Sequence, residues 1–322
     1  MSFNLRLGIT SLLLLFSTQA LAAGIEFPDN GALAIGRAGA HAANPNDGLA
    51  IQYNPAGLAE QRGLHFSVDT KLSKMNLSFT PYGESQTIRN AAAPFFAPGG
   101  VLSYGFGKLS VLSDLTVAIG GVGPSAVGKL KYPADGAQRY ALISSDYFIA
   151  FYSLALAAGY RDWLRYGVTL QAVHGTAKFS QAVWSGLGKG SDPSFDATAN
   201  IDVESGFIPA LVTGVTVKPM PALSIGLSYR SRIAFRGSGT LQNKLPTSDA
   251  VQATGARVEG DKADLLLTFP DVVRLGAQYR LAPSWLVELD YVWEGWSALK
   301  TIEVHPKGVV IKSNVSTDPI VL

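Results

Sequence analysis

The chain reads as an all-β protein, an antiparallel transmembrane β-barrel, on three observations. The first is a two-register alternation in which Leu223, Ile225, Leu227, Tyr229, Ile233 and Phe235 interleave with Ser224, Gly226, Ser228, Arg230, Arg232 and Arg236. Successive side chains of a strand point to opposite faces, so this segment has one apolar and one cationic face. The second is composition: only 16% of residues are charged, against about 25% in a typical soluble domain, and mean hydropathy is +0.19, yet no stretch beyond the N-terminus is long enough for a spanning helix. A closed barrel is the other membrane solution, because each strand pairs its backbone groups with its neighbours. The third is that short and long connections alternate along the chain, as in outer-membrane barrels with tight turns at one rim and long loops at the other.

Taken in order, Arg6, the apolar run Leu7 to Phe16 and the small-residue pattern Ala20-Leu21-Ala22 mark residues 1–22 as a cleaved export signal. Residues 23–62 have a different texture, rich in Gly, Ala, Asn and Asp, and Asn-Pro pairs fix turns there, so they read as a compact plug. Residues 63–322 carry the strands. Leu64, Phe66, Val68, Thr70 and Leu72 alternate with His65, Ser67, Asp69 and Lys71. Trp285, Val287, Leu289, Tyr291 and Trp293 alternate with Glu288, Asp290 and Glu294. Less regular runs fall at about 99–107, 114–122, 146–160, 165–180, 206–218 and 263–280, giving nine strands, with Val309 to Lys312 opening a tenth. Short connections carry turn residues at 108–113, 161–164, 218–222 and 281–284, and long ones fall at about 81–98, 123–145, 185–205 and 237–262. Tyr160, Trp163, Tyr166, Tyr279 and Trp285 flank short turns, where amphipathic rings sit at a membrane interface.

Several function classes are set aside by the same residues. The chain has no cysteine, so neither a disulfide framework nor a thiolate zinc site is available. A net charge of +2 without a basic cluster gives no reason to expect a nucleic-acid partner. His41, His65, His174 and His305 show no metal-ligand spacing, and no nucleophile elbow or phosphate-binding glycine loop is present, so we expect no metal, no cofactor and no catalytic residues. A general porin for polar solutes remains the main rival to hydrophobic uptake, with a barrel-type lipid hydrolase behind it.

The chain resembles the long-chain fatty acid transporter (FadL) family of outer-membrane channels, which includes aromatic-hydrocarbon uptake proteins. The resemblance rests on Gly36-Arg37-Ala38-Gly39, Asn54-Pro55-Ala56-Gly57-Leu58, Ser228-Tyr229-Arg230-Ser231, and Leu267-Thr268-Phe269-Pro270-Asp271 followed by Arg274, Gly276 and Tyr279, with Trp285, Tyr291 and Trp296-Ser297. It implies that residues 23–62 form a hatch inside a 14-stranded barrel, with Gly36, Arg37, Ala38, Gly39, Asn54, Pro55 and Ala56 as its motif. It also implies uptake of fatty acids or aromatic hydrocarbons by loop capture, passage into the barrel and hatch-gated lateral exit through a kinked strand. By position that strand carries Gly120, Gly121, Gly123 and Pro124. Glycine weakens a strand and proline removes a donor, so pairing should bend or fail there, although ordinary strand termination explains the same residues.

An acid substrate would need a cation for its carboxylate. Alternation turns Arg230 and Arg232 toward the lumen as candidate partners for the headgroup, or into a structural network with Asp69, Glu288 or Asp290. Lys178 falls on the outer parity, where lipopolysaccharide phosphate and outer-membrane lipid are its expected partners. Nine or ten strands fall short of the implied 14, and the chain ends Asp318-Pro319-Ile320-Val321-Leu322 without the terminal aromatic recognised by the barrel assembly machinery. The expected structure is therefore an incomplete or gapped barrel, shortened at the C-terminus, around an N-terminal hatch.

Overall fold

A computed structural model of the chain describes residues 30–109, 114–123, 129–186, 192–314 and the backbone of 320–321. The export signal, residues 23–29 of the plug and Pro124 lie outside the described residues. The wall is antiparallel throughout. Its strands are β1 (Gly63–Ser73), β2 (Phe95–Gly105), β3 (Asp114–Val122), β4 (Ser144–Tyr160), β5 (Leu164–Trp184), β6 (Asp196–Ser205), β7 (Ile208–Met220), β8 (Leu223–Arg230), β9 (Ile233–Lys244), β10 (Lys262–Phe269), β11 (Val272–Ala282), β12 (Trp285–Glu294) and β13 (Glu303–Lys307). With the two-residue strand Leu130–Lys131 they form one 14-stranded sheet.

Four of the passes across the wall are broken in two, as β6–β7, β8–β9, β10–β11 and β12–β13, so the sheet makes nine passes, as the alternation predicts. The lower wall runs β1-β2-β3-β4-β5-β7-β8-β11-β12, and the upper wall continues as β5-β6-β9-β10-β13. Short turns close one rim, where Tyr160 pairs Leu164 and Met220 pairs Leu223. Among the described residues no ladder joins β1 to β12, so the wall stays open along that line. Val310–Lys312 is not a tenth wall strand. It pairs instead with Arg257–Glu259 in a small separate sheet, because the chain has already left the wall at β13.

The alternation sorts side chains as expected over the lower wall. Phe66, Leu154, Leu170, Leu227, Leu289 and Tyr291 are exposed on the outer face, while Ser103, Thr116, Ala155, Thr169, Thr216 and Ser228 are buried on the inner one. That inversion of a soluble protein's pattern is what a lipid-facing barrel requires. Tyr160 and Trp163 meet edge to face at 6.4 Å at the short-turn rim.

Two expectations need correction here. Gly120 and Gly121 do not interrupt pairing. They sit opposite Val101 and Gly100 on β2 and opposite Ser153 and Tyr152 on β4, with ladders intact on both sides, since glycine retains both backbone hydrogen-bonding groups. The second correction concerns parity. Ile233 and Phe235 are buried inside, not lipid-facing, and Arg232 and Arg236 are exposed. The residues Ser231 and Arg232 break β8 from β9 and shift the in-out phase by one residue, as do Gly206-Phe207 between β6 and β7 and Pro270-Asp271 between β10 and β11.

Candidate functional site

The lumen is built in layers. At the bottom lies the N-terminal segment, with the short helices α1 (Ala32–Gly36) and α2 (Ala50–Tyr53) and a 3-10 turn (Pro55–Glu60). Ala50, Ile51, Leu58 and Ala59 are fully buried against Val101, Ala118, Ala155 and Ala157 of β2, β3 and β4. The wall curls around this segment, because Ala32 N–H donates to Asp69 of β1 at 2.9 Å while His41 and Ala42 N–H donate to Asp290 Oδ2 of β12 at 2.8 and 2.7 Å.

Asn54 is the hub of the hatch motif. Its amide donates to Ala42 O at 2.7 Å and to Thr216 Oγ1 of β7 at 3.2 Å, and its carbonyl caps the following turn by accepting Ala56 N–H at 3.1 Å. Pro55 suits the first position of that turn, since it has no N–H to satisfy. Arg37 lies 3.5 Å from Glu288 of β12. Ala38 and Gly39 take positive φ, 54° and 87°, which reverse the chain after α1; the glycine adopts that conformation without strain. The carboxylates weighed as partners for the candidate headgroup arginines, Asp69, Glu288 and Asp290, thus hold the hatch instead.

Sequence reading missed the socket in the wall. Gly167, Gly214, Gly226 and Gly276 face inward from β5, β7, β8 and β11. A Cβ on them would overlap the Pro55 backbone, the Asn54 side chain, the Ala42 carbonyl and the Asp290 carboxylate respectively. The signal was present in the sequence as glycine on the lumenal parity of successive strands.

Above the hatch lies a polar layer. Arg230 is 3% exposed and faces inward, as predicted, beside buried Arg274, whose guanidinium stands 5.4 Å from the Tyr53 ring. His41 packs edge-on against Tyr53 at 5.2 Å, with Nε2 3.1 Å from Asp47 Oδ1. Burial pushes the Asp47 carboxyl up, but the His41 hydrogen bond and charge, with the Leu49 and Ala50 amides, outweigh it and hold the group below its ordinary value. Arg232 is not in this layer. It stands on the outer side, 3.5 Å from Asp271, because of the phase shift at Ser231.

Over the polar layer, Ile149, Phe151, Val173, Ala210 and Ile233 close into an apolar floor. A cavity of about 360 Å³ rests on it, lined by Tyr147, Ile149, Ala177, Phe179, Gln181, Ile201, Leu265, Leu267, Phe269, Ile302 and Val304. None of these residues carries a charge. The phase shifts make this chamber, since they turn Leu265, Leu267 and Phe269 inward, with Phe235 packed behind them, where uninterrupted alternation would have sent Asp264, Leu266 and Thr268. A larger hollow, about 860 Å³, is a shallow depression on the wall between Phe66, Gly121, Tyr152 and Leu170, open to the lipid side. Gly120 and Gly121 line it, so the wall is thin there although its ladders hold. The smaller chamber is the better enclosed of the two, as a pocket must be to remove most of a ligand's surface from solvent or lipid.

Chemically, the chamber offers apolar contact, one phenol and one amide, and it would leave a carboxylate unpaired at considerable cost. Among the described residues no group of His, Asp or Glu could hold a metal ion.

Fold and lumen together define an outer-membrane β-barrel transport protein whose N-terminal segment fills the lower lumen beneath an apolar chamber. The chain belongs to the outer membrane protein transport protein family (OMPP1/FadL/TodX), whose model matches residues 13–318. Among solved structures it is similar to a Pseudomonas aeruginosa FadL homologue (15% identity, 91% of this chain and 74% of that one, TM-score 0.67). It is also similar to the Ralstonia pickettii toluene transporter TbuX (16%, 88% and 77%, 0.65) and the P. putida toluene transporter TodX (13%, 89% and 80%, 0.63). No curated protein matches it by sequence.

Proposed function

We propose that this protein carries small hydrophobic molecules across the outer membrane, and that its chamber favours neutral hydrocarbons over long-chain fatty acids. The charge-free lining of the 360 Å³ chamber carries this reading. A fatty acid could lie there only with its carboxylate unpaired or pushed through the floor toward Arg230, whereas a neutral ring loses nothing polar on entering. The toluene transporters among the structural relatives point the same way. Residues 1–22 direct export and are removed, and the barrel assembly machinery inserts the wall. Loops at the long-connection rim gather the substrate, and Lys178, on the outer face and bonded to Asp202 at 2.8 Å, meets lipopolysaccharide. The hatch of residues 23–62 then rearranges to release cargo sideways. The exit is beside Gly123, next to Val122 and Phe151, the last β3–β4 ladder pair among the described residues.

Uptake of labelled toluene and labelled oleate by cells lacking their own channels, with and without this protein, tests the reading. Toluene uptake should rise with expression and oleate uptake should rise less. A rise for oleate alone, abolished by Arg230→Gln, would establish the fatty acid reading with Arg230 as headgroup partner. Glucose or antibiotic influx without either would make the protein a polar-solute porin.

A further inference from the structure

The wall is sewn unevenly between its sixth and seventh passes. The β7–β8 ladder ends where Val212 pairs Arg230, and the β6–β9 ladder begins where Ser205 pairs Gly237. Between them Ile208–Leu211 and Ser231–Arg236 run side by side with no ladder pair among the described residues. Two bonds tack the lower end: Ser231 N–H donates to Leu211 O, and Leu211 N–H donates to Ser231 Oγ, both at 2.9 Å. Alternate N–H groups of a strand point the same way, so the nitrogen of Pro209 also faces this seam, and it has no proton to donate. A proline in a strand interior is otherwise confined to edges and bulges. What closes the seam on the inside is side-chain packing: Ala210 and Ile233 meet in the chamber floor.

The seam also sits at a boundary. Below it the outer face carries exposed Leu227 and Tyr229, and above it the polar contact His174–Glu204 and the ion pair Lys178–Asp202. Phe207, 70% exposed, stands at the outer lip with its ring 5.9 Å from that of Tyr152. An unladdered stretch facing lipid would be intolerable at the bilayer centre, but at the edge of the apolar layer, above the two Ser231–Leu211 bonds, it is a place where the wall can part with those bonds kept.

We propose that this seam is a side entrance, through which hydrophobic molecules already dissolved in the membrane's outer edge slip between Pro209 and Ala234 into the chamber. The inference rests on the uptake reading above, and it adds a route that bypasses the extracellular loops. Opening requires only that Ala210 and Ile233 separate, which apolar cargo itself favours by replacing their contact.

Because the chain has no cysteine, a disulfide formed between Pro209→Cys and Ala234→Cys, verified by its mobility shift on reduction, would be the only one in the protein. Val215→Cys with Leu227→Cys, directly paired lower in the same wall, is the control. Oxidation of the seam pair should lower uptake of labelled toluene by at least about twofold, leaving the loop route, and reductant should restore it, while the control pair leaves uptake unchanged. Ala234→Trp, which crowds the outer lip without any bridge, should lower uptake as well. Unchanged uptake in the bridged protein and in Ala234→Trp would overturn the side entrance. Leu267→Asp, in the chamber, separates the two failures. If it abolishes uptake while both seam variants transport normally, the channel reading stands and the entrance does not; if it too leaves uptake unchanged, the channel reading itself has failed.

Discussion

Asp290 on β12 accepts the main-chain N–H of His41 at 2.8 Å, joining residues 249 apart in sequence and fastening the hatch to the last part of the lower wall. The same oxygen takes Ala42 N–H, so one carboxylate satisfies two amides that the hatch leaves without an internal partner. Hydrogen bonds to a charged acceptor are the stronger kind, and the bonded group here is shielded from water.

Asp290→Ala should therefore weaken hatch docking by about 2–4 kcal/mol, since two buried donors are orphaned, and Asp290→Asn should cost less because one acceptor oxygen remains. Hydrogen exchange at the His41 and Ala42 amides and tryptic cleavage after Arg37 report this directly. Protection as in the unaltered protein would show that the packing of α2 alone holds the hatch.

Gly214→Val places side-chain atoms where Asn54 lies, so the hatch must move or the wall must bulge. We expect a loss of about 1–3 kcal/mol, read as a lower unfolding temperature and easier proteolysis of residues 30–62. Gly121→Val is the contrast, because its nearest neighbour is the Tyr152 ring at 4.0 Å and the new side chain points to lipid; it should leave stability and uptake unchanged.

Leu267→Asp puts a charge in the chamber wall, and the retained water or counter-ion should lower uptake of a neutral substrate by at least about tenfold. Leu267→Met keeps volume and polarity and should transport normally. Side-by-side uptake of labelled toluene in equally expressed variants decides it.

Acid should loosen the hatch. The Asp47 carboxyl is held below its ordinary value of 3.8, so the hydrogen bonds its ionised form accepts around His41 and Leu49 contribute stability above that pH. The contribution is lost as pH falls through the lowered folded-state value, which makes cleavage of residues 30–62 by pepsin, a protease active in acid, rise below pH 3.8. Asp47→Asn should flatten that step while leaving the behaviour near neutrality, apart from a uniformly looser hatch.

Much of this was legible in the residues. The period of two in Leu64 to Leu72 and Trp285 to Trp293 determines which face meets lipid, because neighbouring side chains on a strand cannot share a face. The spacing of turn residues determines nine passes and which rim carries the long loops. The small residues and Asn-Pro turns of 30–62 determine a compact insert, and Asn54, flagged in the sequence, proves to be its hub. What the sequence could not decide was phase. Gly206-Phe207, Ser231-Arg232 and Pro270-Asp271 each add a residue to a strand, and whether such a pair bulges or continues depends on the hydrogen bonds of both neighbours. That choice, made only by the assembled sheet, sends Arg232 outside and turns Ile233 and Phe235 into the lumen, where Ile233 joins the floor of an apolar chamber and Phe235 packs against its lining residue Leu265. Pairing across the sheet likewise kept Gly120 and Gly121 in register and left Pro209 facing an unladdered seam, since a ladder is a property of two strands and no single stretch of chain contains it.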